Sequence, residues 1–146
     1  MIPLIGLILF LTIPTQASDN FLITRVIDGD TIVLSDGQKV RYIGVNAPET
    51  KRTDKITKAL GERARAYNES LVLGRQVHIE FSSQQKDRYG RTLAYVYIGD
   101  TLINAEMILA GYASASYPQF NPKYAVLFKR LEQEARFAKR GLWACE

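Results

Sequence analysis

Three short segments hold most of the residues able to do chemistry. Asp28-Gly29-Asp30-Thr31 sets two carboxylates around a turn glycine. Arg41-Tyr42-Ile43-Gly44-Val45-Asn46-Ala47-Pro48-Glu49 carries an arginine, an amide and a carboxylate. Asp87-Arg88-Tyr89-Gly90-Arg91 interleaves two arginines with an aromatic. Each has a plain structural reading: a hairpin turn, an arginine salt-bridged in a strand, a solvated basic loop. Each also has a sharper one. A turn needs only Asp28 and Gly29, so Asp30 opens a strand, where carboxylates are depleted. Strand parity puts Arg41 with Ile43 and Val45, and an arginine on an apolar face needs an anion beside it. That anion is either a protein carboxylate or a bound phosphate, which a planar guanidinium meets with paired hydrogen bonds. Pro48 fixes the backbone before Glu49 and gives that carboxylate a defined direction. Arginines flanking Tyr89 suit phosphate contact combined with base stacking.

Taken together, the clusters suit phosphodiester chemistry. A phosphodiester gains negative charge as a nucleophile adds, and cations on each side stabilise that state. Two arginines and a calcium ion supply them, and a nearby carboxylate orients the attacking water or takes its proton. Asp30, Arg41, Glu49 and Arg91 provide those parts. Composition points the same way. The 146 residues contain one histidine and one cysteine, which leaves out multi-histidine zinc or iron centres, zinc fingers and internal disulfides. A hydrophobic fraction of 47% and a net charge of +4 describe a basic globule rather than a disordered chain.

The elements that must position these loops read as one α+β domain. Phe21 to Ile27, Thr31 to Leu34 and Lys39 to Val45 form a meander, with Asp28-Gly29 and Asp36-Gly37 as turns. Asn46 to Lys58 lacks a hydrophobic period and reads as a loop. From about Thr57 a helix presents Leu60, Ala64, Tyr67, Leu71 and Val72 on one face, and Gly74 ends it. Val77, Ile79 and Phe81 alternate with polar residues in a strand where His78 is a surface position. Ser82 to Arg91 reads as a polar loop, and Thr92 to Ile98 as a strand. Helices follow at Ile103 to Ala110 and Pro122 to Ala138, the latter with Phe128, Leu131 and Ala135 on one face. Five short strands with about three helices suit a closed five-stranded barrel of the OB type, although an open sheet under helices would read similarly.

Residues 1–17 carry no Lys, Arg, Asp or Glu, and Ile2 to Ile13 is almost wholly apolar. The run is short for a bilayer span, and Thr15-Gln16-Ala17 offers small residues for cleavage. A signal peptide over 1–17 is expected, leaving residues 18–146 as a secreted or periplasmic, monomeric domain without stable membrane association. Cys145, beside Trp143 near the C-terminus, is expected to be buried or simply terminal.

The strings Val-Ile-Asp-Gly-Asp-Thr (26–31), Ile-Gly-Val-Asn-Ala-Pro-Glu-Thr (43–50) and Asp-Arg-Tyr-Gly-Arg-Thr-Leu-Ala-Tyr-Val-Tyr (87–97) resemble the staphylococcal nuclease family. So does the ending Ala-Lys-Arg-Gly-Leu-Trp (138–143). The resemblance implies an OB-type barrel with three helices and a calcium-dependent nuclease that cuts DNA and RNA, single-stranded or locally unpaired, to 3′-phosphate products. It implies a metal site of Asp30, Asn46 and the Ala47 carbonyl, with Arg41, Glu49 and Arg91 as catalytic residues. Arg88, Tyr89 and Tyr117 would bind the nucleotide; a second tyrosine expected near Tyr117 has no counterpart, since Pro118 and Gln119 follow. Asn46 stands where the best-known member of that family has a second metal-binding aspartate, so weaker calcium binding is expected. Two other readings are open: a non-catalytic nucleic-acid-binding barrel, and an exported oligosaccharide- or peptide-binding barrel, which the arginine loops disfavour.

Overall fold

The computed structural model describes residues 20–116 and 123–145. Eight strands occur among them: β1 (Asn20–Asp28), β2 (Thr31–Leu34), β3 (Lys39–Tyr42), β4 (Val45–Asn46), β5 (Gln76–Lys86), β6 (Thr92–Ile98), β7 (Thr101–Leu102) and β8 (Ser114–Ala115). Helices α1 (Lys55–Val72), α2 (Ile103–Leu109) and α3 (Ala125–Phe137) are followed by a 3-10 turn at Gly141–Cys145.

The main sheet runs β3-β2-β1-β5-β6-β7, and a further pairing of β3 with β6 closes five of its strands into a ring. The closing pair is parallel, with Val40 opposite Thr92, Arg41 opposite Leu93 and Tyr42 opposite Ala94. Two register shifts along β1 and one along β5 bend the strands enough to close. This is the OB-type barrel, and closure removes the open edges that would invite aggregation. Ile23, Ile32, Val40, Ile79 and Val96 fill its interior, and Met107, Ile108 and Phe128 from the helices seal it, all nearly fully buried. Among the described residues no helix is long and apolar enough to cross a membrane.

The expected elements differ from the observed ones where tertiary contacts decide. The third strand breaks after Tyr42, because Gly44 adopts φ +77 and turns the chain into β4. A Cβ at Gly44 would also lie 2.7 Å from the Phe128 ring. The parity expected for Arg41 is therefore corrected: Val40 and Tyr42 carry the core face of β3, and Ile43 and Val45 are buried through the turn. Helix α1 starts within the expected loop because the Asp54 side chain caps it, accepting from the Thr57 amide at 2.8 Å. Strand β5 continues to Lys86, and Phe81 packs edge-on against Phe21 at the rim instead of entering the core.

Candidate active site

The β1–β2 turn buries Asp30, 5% exposed, beside Asp28. Oδ2 of Asp30 accepts from the Ala47 amide at 2.8 Å, and Oδ1 accepts from the Thr31 hydroxyl at 2.9 Å. The Asp28 carboxylate accepts from the Asp30 amide at 3.2 Å. Burial, and next the charge of Asp30, push the Asp28 carboxyl up to about 7. Two carboxylates thus share a pocket short of positive charge.

One cation answers them. Nη2 of Arg41 sits 3.2 Å from Asp30 Oδ2 and donates to Asn46 Oδ1 at 3.3 Å. Its Nη1 donates to the carbonyls of Tyr42 and Val45, each at 2.7 Å. The left-handed Gly44 folds those two carbonyls around the guanidinium. Asn104, fully buried on α2, pins the turn from behind by donating to the Ile43 carbonyl at 2.9 Å and accepting from the Val96 amide at 3.0 Å. Asn68, fully buried on α1, does the same for the first turn. It accepts from the Tyr42 hydroxyl at 2.9 Å and donates to the Asp28 carbonyl at 3.0 Å. Sequence reading missed both asparagines; the only local signal is a polar residue on an otherwise apolar helical face.

The 87–91 turn supplies the second guanidinium. Nε of Arg91 donates to Asp87 Oδ2 at 2.7 Å, while Asp87 Oδ1 accepts from the amides of Tyr89 and Arg91 at 2.9 and 3.0 Å. Burial alone would raise the Asp87 carboxyl, but these hydrogen bonds and the Arg91 charge outweigh it and hold the group below its usual range. Tyr89 is 68% exposed, with the Arg88 and Arg91 guanidinium carbons 4.9 and 5.4 Å from its ring centroid. Arg41, Arg88, Tyr89 and Arg91 line one cleft of about 450 Å³.

Glu49 stands exposed on the loop after β4 and lines an adjoining cleft of about 280 Å³ with Arg91 and Tyr89. The loop is seated on α1 at Gly61, where a Cβ would come within 2.6 Å of the Glu49 carbonyl oxygen. Glycine there lets helix and loop approach closely. The structure thus brings Asp30, Arg41, Asn46 and Ala47 into direct contact, and places Glu49, Arg88, Tyr89 and Arg91 around adjoining clefts. Tyr117 and the signal-peptide segment lie outside the described residues, as does the side chain of Cys145.

Calcium takes oxygen ligands, and the side chains of Asp30 and Asn46 offer oxygens beside the Arg41 guanidinium and the Ala47 amide. Arg41 already bridges Asp30 and Asn46 as a positive group, so the two donors converge on one cation-sized position. These residues fit a hard divalent ion. Among the described residues no cluster of three or more Asp, Glu, His or Cys occurs. The protein therefore offers few charges to such an ion, and water and substrate oxygens would complete its shell.

A closed OB-type barrel thus carries two guanidiniums, one held by the barrel and one by its own turn, with a buried aspartate and an exposed glutamate around adjoining clefts, an arrangement suited to phosphate esters. Residues 39–145 match the family model described as staphylococcal nuclease homologue. A thermonuclease of Staphylococcus intermedius is 37% identical over 128 residues, covering 86% of this chain and 76% of that protein. One from Staphylococcus hyicus is 35% identical with the same coverage. Endonuclease YncB of Bacillus subtilis is 38% identical over 130 residues, which span 86% of this chain and 62% of the relative. The chain belongs to the staphylococcal nuclease family.

Proposed function

We infer that this protein is an exported, calcium-dependent nuclease that hydrolyses phosphodiester bonds of DNA and RNA with little preference for the sugar. The observation carrying this reading is the convergence of Arg41, Arg91 and Glu49 on adjoining clefts beside the buried Asp30. A phosphate seated between Arg41 and Arg91 meets two cations placed before the reaction begins, where they act on the charge that develops. Arg41 needs little reorganisation, since the barrel already fixes its direction. Glu49 takes the proton of the attacking water from the rim of the cleft. Asp30, Asn46 and the Ala47 carbonyl would hold calcium, which when bound adds positive charge at the phosphoryl group. Arg88 and Tyr89, and Tyr117 from outside the described residues, bind the nucleotide by charge and stacking.

The thermonuclease and endonuclease names of the relatives support cleavage rather than mere binding. The uncharged apolar run at 1–17 supports a signal peptide preceding a monomeric, secreted or periplasmic domain over 18–146. Incubation of residues 18–146 with single-stranded DNA and RNA, with calcium or with chelator, tests the reading. Cleavage of both polymers with calcium alone, leaving 3′-phosphate ends, is expected. Binding without cleavage would leave a non-catalytic barrel instead.

A further inference from the structure

The loop 49–52 forms a ridge between two clefts. On one side Glu49 and Lys51 line the cleft shared with Tyr89 and Arg91. On the other, Glu49 and Arg52 line a separate cleft of about 480 Å³ with Leu60, Leu142 and Trp143. Asn46 and Ala47 also belong to its lining, so it adjoins the proposed metal position.

Its chemistry is that of a nucleotide site. Trp143 offers a planar ring steadied by Arg136, whose guanidinium carbon lies 3.8 Å from the ring centroid. The indole N–H points into the protein, where it is buried without a hydrogen-bond partner, so it is the ring and not its donor that the cleft presents. Leu60 and Leu142 extend the apolar wall, and Arg52, exposed, sets a cation at the ridge. Each side of Glu49 therefore pairs an aromatic ring with a basic residue: Tyr89 with Lys51, and Trp143 with Arg52.

A scissile phosphodiester joins two nucleotides, so a strand cut beside Glu49 continues on both sides of that carboxylate. Arg88 and Tyr89 receive one side. We propose that the Trp143 cleft is a second nucleotide subsite, which takes the nucleotide across the scissile phosphate from the one held at Tyr89. The base lies against Trp143 and the next phosphate meets Arg52. This assignment rests on the nuclease reading above, and it makes bonds within a strand better substrates than terminal ones.

Trp143 is the only tryptophan in the chain, so its emission reports on this cleft alone. The experiment uses the Glu49→Gln chain with calcium, in which cleavage is slow enough for binding to be read first. A thymidylate tetranucleotide should change Trp143 emission. Thymidine 5′-phosphate should compete with it at the arginine cleft yet leave the emission unchanged. Arg52→Ala, at an exposed position, should weaken the tetranucleotide roughly 2- to 5-fold, the worth of one exposed ion pair, and leave the mononucleotide unaffected. A tetranucleotide that is displaced by the mononucleotide, yet alters neither emission nor its affinity for Arg52→Ala, overturns the subsite and leaves the nuclease reading standing. So does a mononucleotide that shifts the emission by itself. A tetranucleotide that neither binds this chain nor is cut by the unsubstituted one overturns both.

Discussion

The 41–46 turn and the 87–91 turn deliver the same guanidinium group by opposite means. Arg41, its side chain 17% exposed, is held by two backbone carbonyls, Asn46 and the buried Asp30, and the turn is pinned in turn by Asn104. Arg91, 29% exposed, is held by Asp87 four residues away, within its own turn. The first arginine is part of the barrel's interior wiring, so stability and chemistry are joined in it. The second is an accessory of a surface turn, so its chemistry is separable from the fold. On the proposed function, nucleic acid would meet one fixed cation and one that can adjust.

Truncation of each arginine should split along that line. Arg41→Ala leaves Asp30 and two carbonyls without their partner, and should cost about 3 kcal/mol in urea unfolding, at the low end for a broken buried pair. Its cleavage activity should be lost as well. Arg91→Ala should cost under about 1 kcal/mol, because its ion pair is partly exposed and closed within its own turn, yet lower turnover about 10²- to 10³-fold. Equal stability losses would erase the distinction. Gly61→Ala pushes the Glu49 backbone away from α1, and should lower turnover roughly 10- to 100-fold in a steady-state assay while the barrel melts cooperatively.

Smaller effects sharpen the contrast. Asn46→Asp adds a charge on the Arg41 side, and should tighten calcium roughly tenfold by titration calorimetry. An unchanged or weaker affinity would contradict the assigned ligand. On the Arg91 side the expected effect is smallest. The Asp87 carboxyl is held below its usual 3.8, so its stabilisation is complete above that value and is lost as pH falls through the lowered one. The unsubstituted chain should exceed Asp87→Asn by under about 1 kcal/mol at pH 7, and the gap should close below about pH 4.

The same contrast explains what the sequence disclosed. The 87–91 turn is local: Asp87, Gly90 and Arg91 make their contacts within five residues, and their types and spacing were readable directly. Residues such as Asp30, Arg41 and Glu49 were legible as chemistry, and the barrel was legible as strands and turns. That Arg41 has an anion beside it was readable, although the strand parity behind that expectation does not hold and the partner, Asp30, emerges only when β2 and β3 pair. The asparagines behind the site could not be found this way. Asn68 reaches residues 26 and 40 positions away, and Asn104 reaches one 61 positions away. The break at Gly44 was hidden for a like reason, since the ring that leaves no room for a Cβ there, Phe128, comes from α3.

In the proposed mechanism Glu49 acts on a phosphodiester held by the two arginines. Single-turnover cleavage of a single-stranded oligonucleotide at saturating calcium, by the unsubstituted chain and by Glu49→Gln, tests it most directly. A rate at least about 10²-fold lower is expected for Glu49→Gln, with oligonucleotide affinity and unfolding unchanged. Equal rates in the two proteins would contradict it.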